Sequence, residues 1–205
     1  MTTIGTLFNI SAPSGAGKTS LVKALMANMP ELKLSISHTT RPMRSGEEDG
    51  QDYFFIDKAT FKKMIAEGAF LEHADVFGNY YGTSQAIVEK QLSLGHDVLL
   101  EIDWQGAAQI RERMPHVVSI FILPPSLAAL EERLAGRGQD SEEVIARRLS
   151  EAINEISHYK DYDYLIINDN FEVALKELAA VVLSQQVRLE RQQHVHKTLI
   201  QTLLG

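Results

Sequence analysis

The chain of 205 residues contains no cysteine. Disulfides, thiolate-bound zinc and thiol nucleophiles are thereby excluded, and a reducing, cytoplasmic location is the expectation. Long apolar runs are missing too: none approaches the roughly 20 residues of a membrane-spanning helix. The first residues hold neither a basic stretch nor an apolar one adequate for a secretion signal, so no membrane partner is expected. Positive charge is in deficit. Lys and Arg number 20 against 27 Asp and Glu, a formal net charge of −7, which argues against a nucleic-acid partner. No internal repeat and no low-complexity linker divides the chain, so any subdivision must come from insertions within one fold. This length can bury one substantial core and still carry a small inserted subdomain.

What is present begins at Phe8. Residues 8–20 read FNISAPSGAGKTS: a short apolar run, a Pro/Gly/Ser turn, then a helical pattern through Leu21, Val22, Leu25 and Met26. The order strand, loop, helix is that of a phosphate-binding loop, and Gly17-Lys18-Thr19 match the last three positions of G-x-x-x-x-G-K-[ST]. Ala12 stands where the pattern has its first glycine, which is tolerable if φ there is negative. Gly15 and Gly17 let backbone N–H groups converge on phosphate oxygens at a helix N-terminus. The run Ala12, Pro13, Ser14, Gly15, Ala16, Gly17, Lys18, Thr19 and Ser20 is thus the expected ATP-binding segment. Lys18 would neutralise phosphate charge, and the Thr19 hydroxyl would hold Mg²⁺.

Strand and helix patterns alternate along most of the chain. Strands are predicted at 6–10, 97–103 (DVLLEID), 117–123 and 164–167, and helices at 19–29, 84–94, 105–114 and 126–135. Another helix follows Asp140 or Ser141, with apolar spacing at Val144, Leu149, Ile153 and Ile156, and a single long helix is predicted from Phe171 toward the C-terminus. Such alternation builds an α/β fold: a parallel sheet flanked by helices, with ligands at the strand C-termini. Residues 34–83 break the rhythm with short strand-like pieces, a polar loop around Gly46 and Gly50, and one helix capped by Asp57. They read as an inserted, strand-rich subdomain.

That insertion gathers Ser37, Arg41, Arg44, Tyr53, Glu72, Tyr81 and Thr83. Two arginines with two tyrosines suit a phosphate that must be held but not hydrolysed, because guanidinium groups bind phosphate oxygens in bidentate fashion. Glu72 is a lone carboxylate among apolar neighbours, and one carboxylate can accept both N1–H and N2–H of guanine. Beside a phosphate-binding loop, the set reads as a nucleoside-monophosphate site.

These segments, in the order SAPSGAGKTS, SHTTRPMRSGE, DYFF, FLEHADVFGNYYGT, LEIDWQGA, IFILPPS, RLAGRGQDSEE, ARRLSEA and YLIINDN, closely resemble the guanylate kinase family of ATP:GMP phosphotransferases. The resemblance reaches to about Asn170. It implies transfer of the ATP γ-phosphate to GMP, and to dGMP, in purine nucleotide metabolism, with Mg²⁺ as the cofactor. Carried over residue by residue, it implies that Arg41, Arg44, Tyr53 and Tyr81 hold the GMP phosphate while Ser37, Glu72 and Thr83 read guanine. Glu101 and Asp103 would contact GMP or organise the Mg²⁺ region; Glu101 departs from the family's usual Asp. Arg133, Arg137 and Arg148 correspond to lid arginines that close over the transferred phosphoryl group, and Asn168 and Asp169 to positions flanking adenine. The implied division is a core of 1–33, 84–125 and 157–205, a GMP-binding subdomain of 34–83, and a lid of 126–156.

Two rivals remain open at this level. A monophosphate kinase for another base is disfavoured by Glu72 with Ser37 and by a strand-rich insertion. A catalytically inactive phosphopeptide-binding module of the same fold is disfavoured by intact Lys18, Thr19 and lid arginines. His194 and His196, in a Gln/Arg-rich tail, read as solvated rather than metal-binding, and Trp104 as a packing residue. The tail's Arg188, Arg191 and Lys197 mark either a homo-oligomer contact or plain surface.

Overall fold

The computed structural model describes residues 5–76, 78–135 and 142–205. Its centre is strand β1 (Leu7–Ser11), buried at every position. A strand buried on both faces needs apolar residues in both directions, and the chain supplies them. Phe8 and Ile10 enter one core layer with Leu99 and Ile120, while Leu7 enters the opposite layer with Val98, Leu100 and Ile102.

Five strands make the central sheet, every pair parallel: β2 (Lys33–Leu34), β7 (Val98–Glu101), β1, β8 (Val118–Leu123) and β9 (Tyr164–Ile167), in that spatial order. β1 therefore lies between two strands far from it in sequence, with Asn9 Nδ2 donating to Ser119 Oγ across 110 positions. One face is covered by α1 (Lys18–Asn28) and α7 (Phe171–Gln186) through Leu21, Val22, Leu25, Leu175, Leu178 and Val182. The other is covered by α3 (Gln85–Ser93) and α4 (Trp104–Arg113) through Val88, Leu92, Ala107 and Ile110. All these clusters bury residues at helical or alternating spacing, as the sequence pattern requires.

A second sheet of four short strands has the order β4-β3-β6-β5, with β3 at His38–Thr39, β4 at Phe54–Phe55, β5 at Phe70–Val76 and β6 at Asn79–Ser84. β5 and β6 form an antiparallel hairpin whose turn carries Gly78 at φ 77°. Its register slips between Phe70 and Glu72, so Leu71 is an extra residue in the strand. α2 (Lys58–Ala66) packs Phe61 on Phe70, ring centroids 4.4 Å apart, and Asp57 caps it by accepting the Thr60 N–H at 2.8 Å. The strand-like pieces that open the insertion divide between two sheets: Leu34 pairs with Leu99 in the central sheet, while the second sheet starts at His38.

α5 (Leu127–Ala135) and α6 (Glu142–Ser157) share a small core of Leu130, Leu134 and Ala152, with Leu149 and Ile156 against it. Ile153 is exposed, because Ala152 takes the inward position beside the α5 leucines. The side chain of Val144 and the capping positions Asp140 and Ser141 lie outside the described residues.

The single long C-terminal helix expected from Phe171 is three: α7, then α8 (Leu189–Val195) and α9 (Lys197–Leu204). The physical reason is at the first break. Gln192 Nε2 donates to the Gln186 carbonyl at 2.8 Å, and turning the chain at Val187–Arg188 lets Arg191 Nη1 reach Asp97 Oδ1 at 2.6 Å. Asp97 is buried and also accepts from the Thr6 N–H and Gln186 Nε2, so the carboxylate is fully partnered. Arg191 is thus a strut in this chain rather than plain surface.

Candidate active site

The phosphate-binding loop follows from β1 as its residues demand. Gly15 has φ 90° and Gly17 φ 91°, both left-handed, and Gly17 ends the loop as the N-cap of α1. A side chain at Gly15 would also run into Leu130 and Leu134 of α5, and one at Gly17 into Asn168 Nδ2 at 2.4 Å. Ala12, the departure from the glycine pattern, packs its methyl against the β1–α1 core. Thr19 and Ser20 are exposed on the first turn of α1.

Behind the loop lies Asn168, at the end of β9. It is buried, and its amide donates to the Ala16 carbonyl at 2.7 Å. Its side chain is therefore committed to holding the loop, whereas Asp169 beside it is exposed. Arg133 on α5 donates to the Asn168 carbonyl at 3.1 Å, and its other Nη is buried without a protein partner at the cleft wall.

Two clefts meet over this loop. One, of about 390 Å³, is lined by residues 12–15 and 17–20 together with Val76, Asp103, Arg133 and Glu155. The other, of about 260 Å³, is lined by Ser37, Arg44, Tyr53, Glu72, Ala74, Tyr81, Glu101 and Ile102. Lys18, Val76 and Asp103 belong to both walls. Lys18 is half-buried rather than exposed, its Nζ donating to the Ile102 carbonyl at 3.1 Å. The C-terminal end of β7 thus brings the lysine between the two cavities.

The two acids at the end of β7 separate in role. Glu101 Oε1 accepts the Thr19 hydroxyl at 2.6 Å, which ties the acid to the loop side. Asp103 caps α4, its Oδ1 accepting the Gly106 N–H at 2.9 Å and its Oδ2 the Gln105 amide at 3.1 Å. A hydroxyl paired with a carboxylate at the mouth of a phosphate-binding loop supplies the hard oxygen donors that Mg²⁺ takes. Mg²⁺ ordinarily uses one or two such protein oxygens and completes its shell from phosphates and water, so the donor set fits.

In the second cleft Glu72 is 3% exposed. Burial pushes its carboxyl up to about 7, with the Asp103 charge adding to the rise, although the Thr83 hydroxyl donates to Oε1 at 2.5 Å and opposes it. Thr83 is buried behind Glu72 and does not line the cavity itself. Burial likewise raises the Tyr53 hydroxyl to about 12, so it remains a donor at neutral pH. Tyr53 and Tyr81 meet edge to face at 5.9 Å. Arg41 packs behind this wall and does not line it: its guanidinium bonds Glu47 and the Pro42 carbonyl, each at 2.7 Å, and lies over the Tyr53 ring.

Of the expected lid arginines, Arg137 lies outside the described residues. Arg148 is on α6, one face-repeat away from Glu155, which accepts the Ser14 N–H of the loop at 3.0 Å through Oε2. Glu155 was invisible in the sequence because nothing local distinguishes it from the other α6 acids. Its carboxyl is raised by burial. Trp104, expected as packing, stacks flat on His158 with centroids 3.8 Å apart. Among the described residues no cluster of three His, Cys, Asp or Glu could hold a metal, and no helix is long and apolar enough to cross a membrane.

Comparison with known proteins returned concordant matches. The guanylate kinase family model matches residues 5–185. Guanylate kinase of Methylococcus capsulatus is 61% identical over 203 residues, covering 99% of this chain and all of that protein. Guanylate kinase of Escherichia coli K12 is 56% identical over 203 residues, covering 98% of each. A crystal structure of guanylate kinase from Anaplasma phagocytophilum superposes with a TM-score of 0.76 at 36% identity, covering 92% of this chain and 90% of that one.

Proposed function

The chain belongs to the guanylate kinase family, and from that premise we propose how its two clefts divide the reaction. The enzyme transfers the γ-phosphate of ATP to GMP, giving ADP and GDP. The loop cleft takes ATP and the Glu72 cleft takes GMP. The observation that carries this reading is the shared wall: Lys18 faces both cavities, where a transferred phosphoryl group must pass. We further propose that dGMP is an acceptor, and that the setting is cytoplasmic purine nucleotide metabolism.

In this arrangement the acceptor phosphate oxygen attacks the γ-phosphorus in line, and the bond to the β-phosphate oxygen breaks. The acceptor is already ionised, so no side chain has to remove a proton. Arg44, Tyr53 and Tyr81 hold the acceptor phosphate, and Arg41 joins them when it exchanges Glu47 for phosphate. Glu72 accepts the two guanine donors, held by Thr83, with Ser37 opposite. Thr19 and Glu101 would hold Mg²⁺, which would neutralise charge on the phosphate oxygens. Lys18 and Arg133 neutralise charge from the protein side, and Arg137 and Arg148, the expected lid arginines, add to it over the transferred phosphoryl group.

A coupled assay of ADP production with GMP, dGMP, AMP and UMP tests the reading. GMP and dGMP should support turnover, and AMP and UMP should not. Rapid phosphorylation of AMP would overturn it.

Two further outcomes are expected. Arg148→Ala should lower kcat by about 10²-fold or more with little change in KM for GMP, the pattern of a contact made mainly in the transition state. A raised KM at constant kcat would instead assign Arg148 to ground-state binding. The second outcome concerns pH. Because only ionised Glu72 accepts both guanine donors, KM for GMP should fall by about tenfold between about pH 6 and about pH 8. The slope left in Glu72→Gln reports the acceptor phosphate's own titration. Stability moves the other way. A carboxyl raised from 4.5 to about 7 contributes stability present below 4.5 and lost as pH rises through 7.

A further inference from the structure

β5 is an edge strand, yet its free side is not open. One face of α4, at spacing i, i+3, i+7, lies along it through Gly106, Gln109 and Arg113. The Gln109 side chain donates to the His73 carbonyl at 2.7 Å and accepts the His73 N–H at 3.2 Å. That donor–acceptor pair is what a neighbouring strand would present, so a side-chain amide stands in for the missing backbone. Arg113 Nη1 donates to the Phe70 and Leu71 carbonyls, each at 2.9 Å. Those carbonyls sit where the ladder slips and Leu71 is the extra residue. A bulge re-aims the side chain that follows it, and here the side chain that follows is Glu72.

Gly106 completes the set. A methyl at its position would lie 2.5 Å from Glu72 Oε2 and 3.0 Å from Glu72 Cδ. Its φ lies outside the left-handed region, and a glycine inside a helix costs roughly 0.5–1 kcal/mol relative to alanine. Backbone conformation therefore does not call for glycine here. Room for the Glu72 carboxylate does.

We infer that the Gly106–Gln109–Arg113 face of α4 is the positioning device for guanine selection: it seats the bulged strand and sets where the Glu72 carboxylate stands. The inference rests on the reading of Glu72 as the guanine acceptor. It makes base choice depend on three residues that do not touch the base, all on the helix that starts directly after Glu101 and Asp103. α4 thus references the base-reading strand to the core acids instead of to the rest of its own sheet.

The test compares kcat/KM for GMP and for inosine monophosphate, which keeps N1–H but lacks the 2-amino group. Wild type, Gly106→Ala, Gln109→Leu and Glu72→Gln are measured side by side, with thermal melts. Alanine favours the helix, so Gly106→Ala should fold, and Gln109→Leu probes the same device without adding bulk at Glu72. The GMP-to-inosine-monophosphate preference should fall by about tenfold or more in both α4 variants, the scale of one misplaced hydrogen bond to a charged group. KM for GMP should rise while KM for ATP and kcat at saturating GMP stay near wild type. A folded pair of α4 variants that keep the wild-type preference, while Glu72→Gln loses it, overturns the α4 assignment alone. An unchanged preference in Glu72→Gln overturns the reading of Glu72 as well.

Discussion

Lys18→Ala should abolish useful turnover while leaving the fold close to wild type. The Lys18 ammonium is common to both clefts and is parked on the Ile102 carbonyl at 3.1 Å. Without nucleotide that bond is the only one resolved for it among the described residues, and its loss leaves a carbonyl at a cleft that water reaches. The cost to stability is small on that account. The cost to the reaction is large, because charge spreads over the transferred phosphoryl oxygens in the space that the lysine faces. Losing one such preorganised contact costs about 3–4 kcal/mol or more in the transition state, so kcat should drop by about 10²–10³-fold or more. Steady-state kinetics with a thermal melt on the same sample decides it. Near-wild-type kcat in the folded variant would remove Lys18 from the chemistry and the loop from its role.

Glu72→Gln should cut kcat/KM for GMP by about two to three orders of magnitude. The amide can keep its oxygen on the Thr83 hydroxyl, which donates to Oε1 at 2.5 Å. Its NH₂ then occupies the place of Oε2 and opposes a guanine N–H, leaving two donors facing each other in a dry wall. Adenine presents one donor and one acceptor, which the amide can match, so AMP should be penalised far less and the GMP:AMP preference should collapse. Stability should not suffer. Burial already resists ionisation of this carboxyl, holding it up near 7, so a neutral isostere removes a penalty at any pH above that value. If the folded variant keeps its GMP:AMP preference, guanine is read elsewhere.

Features that depend on neighbours in sequence were legible from it. The strand–loop–helix of residues 7–28, the Asp57 cap and the alternation of central strands with helices all follow from local spacing and turn chemistry. Features that depend on distant partners were not. Arg41 reads as a phosphate ligand; Glu47 is a near neighbour in sequence, but their bond depends on how the polar loop between them folds, which spacing does not specify. Arg191 reads as either an oligomer contact or surface because Asp97, its partner, is 94 positions away. Glu155 reaches Ser14 across 141 positions, and a one-residue slip in β5 leaves no mark in composition. The C-terminal pattern reads as one continuous helix since nothing at Val187 forbids helix; a remote carboxylate bends the chain there.

The central place of β1 has a consequence for how the chain is made. β1 is the first element synthesised, but neither of its neighbours exists until residues 98–101 and 118–121 have been added. At a translation rate of about 5–20 residues per second, Phe8 and Ile10 wait roughly 5–20 s on the ribosome without a strand to pair with. Throughout that interval an apolar segment able to bind other chains is uncovered, and long-range parallel pairing of this kind is slow to form. The loop between β1 and α1, proposed above to take ATP, can be held in place by its β1 template only once more than half of the chain has emerged. Nascent chains halted before residue 118 would accordingly not be retained by immobilised ATP, and those released after residue 186, with α7 in place, would be.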